Sequence, residues 1–238
     1  MRYVTSITRK PIRTGFQLNA KVFAKLIMLE MDMNLQSLEQ KWSWGMSLAR
    51  YSIPDPENHW NKVKSVQGEM INSYKYHSNL NEYRRRAISL DFAHQVFQLL
   101  KRELSNDYPN PNRPPFDVVV GPPENRNTGY SLPRDLCKIL SEIHPWLSDG
   151  FASVTKSRPG QVLKSLTKDE RPEKVSGLYI VNKGAMPNPR FGFLIIDDVF
   201  ETGSTVGSLC DTLESEFPGI PRFVIALTHL VAAERALI

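Results

Sequence analysis

Residues Phe191 to Leu209 read FGFLIIDDVFETGSTVGSL, and this stretch decides the fold. The apolar run Phe193 to Ile196 is short, as is typical of a buried strand in a parallel sheet. It ends in two adjacent acids, Asp197 and Asp198, and a small loop rich in hydroxyl groups follows. Residues Thr205 to Phe217 have the spacing of a helix, so the stretch predicts a strand, a loop and a helix in succession.

The rest of the chain alternates strand and helix patterns in the same way, which predicts an α/β fold with a mainly parallel sheet flanked by helices. Further strands are predicted at Phe116–Gly121, Gly150–Thr155, Val175–Val181 and Arg222–Leu230, and helices at Ala20–Trp42, Leu90–Leu104 and Leu132–Ile143. We therefore predict a basic, helical N-terminal extension over residues 1–63 and the α/β domain over residues 64–238.

The composition is that of an ordinary globule, with 238 residues of which 41% are hydrophobic and 23% are charged. No apolar run approaches the roughly 20 residues of a membrane helix, and lysines interrupt the apolar residues after Ala20, so a secretory signal is not expected. The two cysteines, Cys137 and Cys210, have no ligand spacing, which fits a reducing cytoplasm. A net charge of +5 favours anionic ligands without arguing for nucleic acid by itself.

The loop Glu201 to Thr205 is predicted to bind a phosphate. Ligands of open parallel sheets bind beyond the carboxyl ends of the strands, and a helix N-terminus offers unpaired N–H groups there. Gly203 lets the backbone wrap closely around an anion, and Thr202, Ser204 and Thr205 add hydroxyl donors. The loop is not a P-loop, because it has no lysine and no Gly-Lys-Ser/Thr.

The acid pair predicts which ligand carries this phosphate. Two carboxylates would repel a phosphate that they faced directly, so Asp197 and Asp198 are expected to face uncharged hydroxyls of the same ligand. A ribose 5-phosphate has this arrangement. A receiver-like acidic pocket and a plain strand–turn–helix, with Ser204 or Thr205 as the helix N-cap, remain alternatives.

The stretch Ile195 to Thr205 resembles the phosphoribosyl pyrophosphate (PRPP) motif of type I phosphoribosyltransferases, in which a buried strand, an acid pair and a Thr-Gly-x-Thr loop precede a helix. Three further segments resemble the ComF-like branch of this family, so that the resemblance covers roughly Lys64 to Leu230: Ser73–Leu100, Val118–Leu140 and Thr155–Val181. The zinc ribbon that commonly begins ComF-like proteins is absent from the sequence. Lys174 stands where that branch usually has an asparagine.

The resemblance implies roles for named residues. Asp197 and Asp198 would bind the ribose hydroxyls directly or through Mg²⁺, and Thr202, Gly203, Ser204 and Thr205 would hold the 5-phosphate. Glu201 would be either a general base or a glutamate that favours the helix start. The pyrophosphate would contact residues of two loops: Gly121, Pro122, Pro123 and Arg126 in the first, and Lys156 and Arg158, with Arg171, in the second. The alternatives are that the first loop is an ordinary proline turn and that the charges of the second only keep it soluble.

The implied function is Mg²⁺-dependent transfer of a 5-phosphoribosyl group from PRPP to a base, nucleoside or amine, with release of pyrophosphate. A PRPP- or nucleotide-sensing module without turnover and a nucleic-acid-associated accessory protein are the alternatives. We expect a cytoplasmic protein without membrane partners, and a homodimer is left open. The run Arg84 to Arg86 is predicted to be a solvated helix start, and Tyr74 to His77 either line the site or only pack.

Overall fold

The computed structural model of the chain describes residues 33–34, 42–55, 62–77, 79–104, 114–123, 129–157 and 177–230. The strands are β1 Met33–Asn34, β2 Trp44–Arg50, β3 Ser52–Pro54, β4 Lys62–Lys64, β5 Val118–Val120, β6 Ser148–Asp149, β7 Val154–Lys156, β8 Tyr179–Val181, β9 Phe193–Phe200 and β10 Arg222–His229. The α-helices are α1 Val66–Tyr76, α2 Glu82–Leu104, α3 Leu132–Ile143 and α4 Ser204–Glu216, and a 3₁₀ turn spans Phe151–Ser153.

One six-stranded sheet, in the order β1-β2-β10-β9-β5-β6, forms the centre of the fold. Strands β2, β10, β9, β5 and β6 run parallel, and the edge strand β1 is antiparallel to β2. Two small antiparallel sheets, β3–β4 and β7–β8, accompany it. The predicted α/β architecture with a mainly parallel sheet and flanking helices is therefore confirmed.

The central strand β9 separates two hydrophobic cores. Because successive strand residues point to opposite faces, Leu194 and Ile196 pack in one core with α1, α2 and α3. Phe193 and Ile195 pack in the other core, with α4 and β8. All four side chains are fully buried, and each contributes about 1.5–3 kcal/mol relative to exposure.

The N-terminal part of the sheet departs from the predictions. Met33–Asn34 lie within the predicted helix but form a strand, and Trp44–Arg50, for which no element was predicted, form β2. Strand β2 was missed because polar and small residues interrupt its apolar pattern. One of these polar residues, the buried Ser47, is compensated by a hydrogen bond of 2.6 Å between its hydroxyl and Nδ1 of His229. Strands β1 and β2 of the six-stranded sheet lie in the segment predicted as the N-terminal extension, residues 1–63. The rest of Ala20–Trp42, except Trp42, lies outside the described residues.

The helices agree better with the sequence. Helix α3 has the predicted bounds, and α2 begins at Glu82, earlier than the predicted Leu90. Helix α1 was not predicted; Ser65 caps it by accepting the N–H of Gly68 at 2.9 Å. The predicted strand Gly150–Thr155 is only partly correct, since its first half is the 3₁₀ turn. In the described part of the chain, no helix is long and apolar enough to cross a membrane.

Candidate active site

The candidate site lies at the carboxyl ends of β5 and β9. Gly121 follows β5 directly and is packed against β9, because a Cβ on Gly121 would lie 2.8 Å from the carbonyl oxygen of Ile196. Pro122 is buried beside it, and Pro123 is half-buried. The fold thus brings the predicted pyrophosphate loop next to the strand end that carries Asp197. The described residues contain no cis peptide bond, so this loop is built from trans peptides.

The acid pair divides between the two faces of the sheet. Strand β9 continues to Phe200, so Asp197 and Asp198 still alternate as strand residues do. Asp197 therefore lies on the face of α4 and β8, where it is 7% exposed, and Asp198 lies half-buried on the face of α1. An Asp197 carboxylate oxygen, Oδ1, accepts the backbone N–H of Asp198 at 3.0 Å.

Asp198 forms an ion pair with Lys75 of α1. The ammonium Nζ lies 2.5 Å from Oδ2 of Asp198, and the two side chains are 27% and 16% exposed. Burial alone would lower the pKa of Lys75, but the charge of Asp198 and its hydrogen bond outweigh this effect and raise it. The sequence left open whether Tyr74 to His77 line the site or only pack. The structure shows that Lys75 contacts the acid pair.

Asp197 has Tyr179 of β8 as a buried neighbour. Burial first, and then the charge of Asp198, raise the pKa of the Asp197 carboxyl to about 8, although Lys75 offsets part of the shift. Burial also raises the pKa of the Tyr179 phenol, and the charge of Asp197 adds to this. The phenol is therefore neutral near pH 7 and can act as a hydrogen-bond donor at this side of the site. No pattern in the amino-acid sequence indicated Tyr179 as a neighbour of the acid pair.

The hydroxyl loop ends in a left-handed glycine at the N-terminus of α4. Gly203 adopts a left-handed conformation, with φ of +75°, and α4 begins at Ser204. The first helical hydrogen bond runs from the N–H of Gly207 to the carbonyl of Gly203, at 2.7 Å. The N–H groups of Ser204, Thr205 and Val206 therefore precede the helical hydrogen-bond ladder and point out of the helix end.

The hydroxyls of this loop are connected to one another. Thr202 Oγ1 shares a hydrogen bond of 2.7 Å with Ser204 Oγ and accepts the N–H of Ser204 at 3.3 Å. The residue at the N-cap position is Gly203, without a side-chain cap, so the alternative that Ser204 or Thr205 caps the helix is wrong. Sequence reasoning placed the helix start one residue too late.

Two aromatic rings pack against Gly203 of this loop. A Cβ on Gly203 would lie 2.8 Å from Phe200 Cζ and 3.5 Å from an indole carbon of Trp42. The rings of Trp42 and Phe200 meet edge to face, with centroids 6.0 Å apart. Trp42, which precedes β2, is 6% exposed, and its contact with the loop was not predicted.

The remaining predicted residues lie around this centre. Lys156 pairs with Tyr179 in the β7–β8 ladder, so both side chains lie on the same face of that small sheet. Glu201 is half-buried between the end of β9 and the start of α4. Arg126, Arg158 and Arg171 lie outside the described residues.

Arg85 corrects the prediction of a solvated helix start at Arg84 to Arg86. It is 5% exposed, and it donates hydrogen bonds to the carbonyls of Tyr74, of His77 at 3.0 Å and of Leu80 at 3.2 Å. Its guanidinium also lies 3.9 Å from the centroid of the Tyr130 ring. A buried arginine binding three carbonyls holds the C-terminal end of α1, the helix that carries Lys75.

The residues do not fit a Mg²⁺ ion held directly by the acid pair. Mg²⁺ requires near-octahedral oxygen ligands. Asp198 is already paired with an ammonium group, and an oxygen of Asp197 accepts a backbone N–H. Within the described ranges, no group of three or more His, Cys, Asp or Glu side chains could hold a metal ion.

No protein-family model and no curated protein matches the chain. Among solved structures, the chain is similar to the adenine phosphoribosyltransferase of Saccharomyces cerevisiae, crystallised with D-2,5-dideoxy-2,5-imino-altritol 1,6-bisphosphate and adenine. The sequence identity is 14%, the match covers 79% of this chain and 88% of that chain, and the TM-score is 0.36.

Proposed function

We propose that this protein binds PRPP and transfers its 5-phosphoribosyl group to a base, nucleoside or amine, with release of pyrophosphate. The observation that carries the proposal is the junction of β9 and α4, where two carboxylates and an open helix N-terminus follow one another at the sheet edge. The resemblance of Ile195 to Thr205 to the PRPP motif supports the same ligand. We also propose that the chain is related to the ComF-like branch, on the resemblance of its other segments.

The 5-phosphate would bind at the hydroxyl loop. Its donors would be the outward N–H groups of Thr205 and Val206 and the one hydroxyl hydrogen that the Thr202–Ser204 hydrogen bond does not use. The positive end of the α4 dipole favours a dianion at this position. Gly203 is needed because its left-handed backbone turns these donors toward one point, and a side chain there would contact Phe200.

The ribose hydroxyls would donate to the acid pair. The carboxylate of Asp198 only accepts hydrogen bonds, and Asp197, whose pKa is raised to about 8, can also donate one while protonated; both suit a neutral diol. Tyr179 beside Asp197 is a hydrogen-bond donor at the same side of the site. This neighbour of the acid pair favours a polar ligand with both donors and acceptors, as a ribose has.

The diphosphate would lie between the Gly121–Pro123 loop and Lys156, with Arg126 and Arg158 as further predicted contacts. Mg²⁺ enters this proposal as part of the substrate, bound to the diphosphate oxygens, because such oxygens are its usual partners in nucleotide enzymes. The protein would stabilise the charge that develops on the leaving group through the backbone N–H of Gly121, since the two prolines of the loop have none, and through the Lys156 ammonium.

In the reaction, a nitrogen of the acceptor forms a bond to C1 of the ribose while the bond from C1 to the diphosphate oxygen breaks. The acceptor nitrogen then gives up a proton, and Glu201 is the proposed base for it. Most of the rate enhancement would come from orienting the two reactants and from charge stabilisation.

Titration calorimetry with PRPP and Mg²⁺ tests the binding, and a pyrophosphate-release assay against a panel of bases, nucleosides and amines tests the transfer. We expect saturable heat and release with at least one acceptor. Binding without release for every acceptor would favour the sensing alternative. No heat together with no thermal stabilisation by PRPP would overturn the proposal.

A further inference from the structure

Lys75 of α1 lies against the acid pair at the end of β9, with its ammonium 2.5 Å from an oxygen of Asp198. We propose that Lys75 is the built-in counter-ion of Asp197 and Asp198, so that the ribose 5-phosphate half of the ligand binds without a metal ion at these carboxylates. This inference rests on the proposed function, and it goes beyond it by assigning the charge compensation to a residue of the chain.

The ion pair at the end of β9 opposes binding of a metal ion. The Lys75 ammonium is 2.5 Å from an oxygen of Asp198, and the nearby Asp197 adds to the effect of Asp198 in raising the pKa of Lys75. The Lys75 and Asp198 side chains are mostly buried, so their interaction is screened less than that of a surface pair. A divalent cation on Asp198 would have to displace this ammonium or lie beside it, and both are unfavourable.

The backbone that carries Lys75 is anchored on two sides. The neighbouring Tyr74 hydroxyl donates to the Asp135 carboxylate of α3, and Arg85 of α2 donates to the carbonyls of Tyr74 and His77. Tyr74 itself is fully buried. Because the end of α1 is fixed in this way, the ammonium is preorganised at the acid pair, unlike the flexible partners of most surface ion pairs.

The acid pair keeps hydrogen-bond acceptor positions while Lys75 is bound. An ionised carboxylate has about four lone-pair positions for hydrogen bonds. Lys75 contacts one oxygen of Asp198, and the N–H of Asp198 contacts one oxygen of Asp197. By this count, Lys75 leaves acceptor positions on the acid pair for the hydroxyls of a phosphorylated sugar, and those of Asp198 are the more exposed.

The test uses ribose 5-phosphate, which lacks the diphosphate that would bring Mg²⁺ with it. The full chain is titrated with this probe by calorimetry, once with Mg²⁺ and once with EDTA. We expect the two dissociation constants of the wild type to agree within about twofold. In Lys75→Met, affinity in EDTA should fall by about tenfold or more, and Mg²⁺ should restore part of it.

Three controls accompany the titration. Lys75→Arg keeps the charge and should remain independent of Mg²⁺, and Lys101→Met removes an exposed lysine of α2 and should bind like the wild type. 2-Deoxyribose 5-phosphate, with one hydroxyl fewer, should bind more weakly to every variant. Thermal melts show whether each variant is folded; if Lys75→Met is not, the wild-type comparison and Lys75→Arg decide.

The outcomes separate this inference from the proposed function. A wild type that binds ribose 5-phosphate only with Mg²⁺, or a folded Lys75→Met that binds in EDTA like the wild type, overturns the role of Lys75 and leaves PRPP binding standing. A wild type that binds neither ribose 5-phosphate nor PRPP under any condition overturns the proposed function, and the role of Lys75 with it.

Discussion

Gly203 lies directly against Phe200: a Cβ on the glycine would come within 2.8 Å of Cζ of the phenylalanine ring. Gly203 also has a φ of +75°, a conformation that costs L-residues roughly 1–2 kcal/mol. The turn before α4 thus has two separate reasons to be a glycine, one in its backbone and one in its packing.

Gly203→Ala should therefore cost more stability than the backbone conformation alone explains. Gly219 is the matched control, since it has a φ of +77° but no atom within 4 Å of an added Cβ. We expect a loss of about 1 kcal/mol in the free energy of unfolding for Gly219→Ala and about 2–4 kcal/mol for Gly203→Ala, measured by urea denaturation. Equal losses would show that Phe200 moves aside. Affinity for ribose 5-phosphate should fall in Gly203→Ala alone.

Asp197 should destabilise the fold at neutral pH. Its pKa is raised from 3.8 to about 8 by burial and by Asp198, so the folded state binds its proton more tightly than the unfolded state. The stabilising contribution of the protonated form is fully present below about pH 4 and is lost as the pH rises through about 8.

Asp197→Asn should accordingly raise the free energy of unfolding at pH 8 by about 1–3 kcal/mol and flatten its pH dependence. The same change should weaken binding of ribose 5-phosphate, because asparagine has one side-chain oxygen where Asp197 has two, and one oxygen is used by the N–H of Asp198. Urea denaturation at several pH values and calorimetry measure the two effects. Asp91→Asn, on the exposed surface of α2, is the control. A variant less stable than the wild type at pH 8 would contradict the assigned cause.

Arg85→Met should destabilise the protein by about 2–4 kcal/mol, because it leaves carbonyls at the end of α1 without a buried donor. Arg84 and Arg86 are exposed neighbours on the same helix, and their substitution by Met should change stability by less than about 0.5 kcal/mol. Thermal or chemical denaturation of the three variants compares them directly. Similar losses of stability in all three variants would contradict a stabilising role of the Arg85 hydrogen bonds.

Glu201→Gln separates a catalytic base from a residue that favours the helix start. If Glu201 is the base, turnover with the true acceptor should fall by about 10²–10⁴ while PRPP binding changes little. The pH–rate profile should also lose its acidic limb. Glu82→Gln, an acid in the first turn of α2, reports the effect of a charge at a helix start alone. Unchanged turnover in Glu201→Gln would exclude the base role and leave phosphoribosyl transfer standing.

Lys156→Met should weaken PRPP binding by about 1–2 kcal/mol and leave ribose 5-phosphate binding unchanged, since only PRPP has the diphosphate. Calorimetry with both ligands measures this difference, and Lys101→Met is again the control. Parallel losses for both ligands would place Lys156 at the sugar or the 5-phosphate instead.

Local patterns were sufficient for the framework of the site. The strand, the acid pair, the glycine loop and the helix follow one another in the chain, and each has its own residue pattern, so the α/β class and the candidate phosphate loop could be predicted. Helix α3 was predicted with its observed bounds. Strand β2 could not be predicted, because its buried Ser47 is compensated by His229, which is 182 positions away in the chain.

The amino-acid sequence by itself determined that two carboxylates end a buried strand and that a left-handed glycine can open the helix after it. Only the tertiary structure decided that these carboxylates face opposite sides of the sheet, Asp198 toward Lys75 and Asp197 toward Tyr179. The physical reason is that hydrophobic periodicity specifies which face of an element is buried but not which element covers it. The partners of a buried charge depend on which element covers it, and this is decided by the packing of the whole chain.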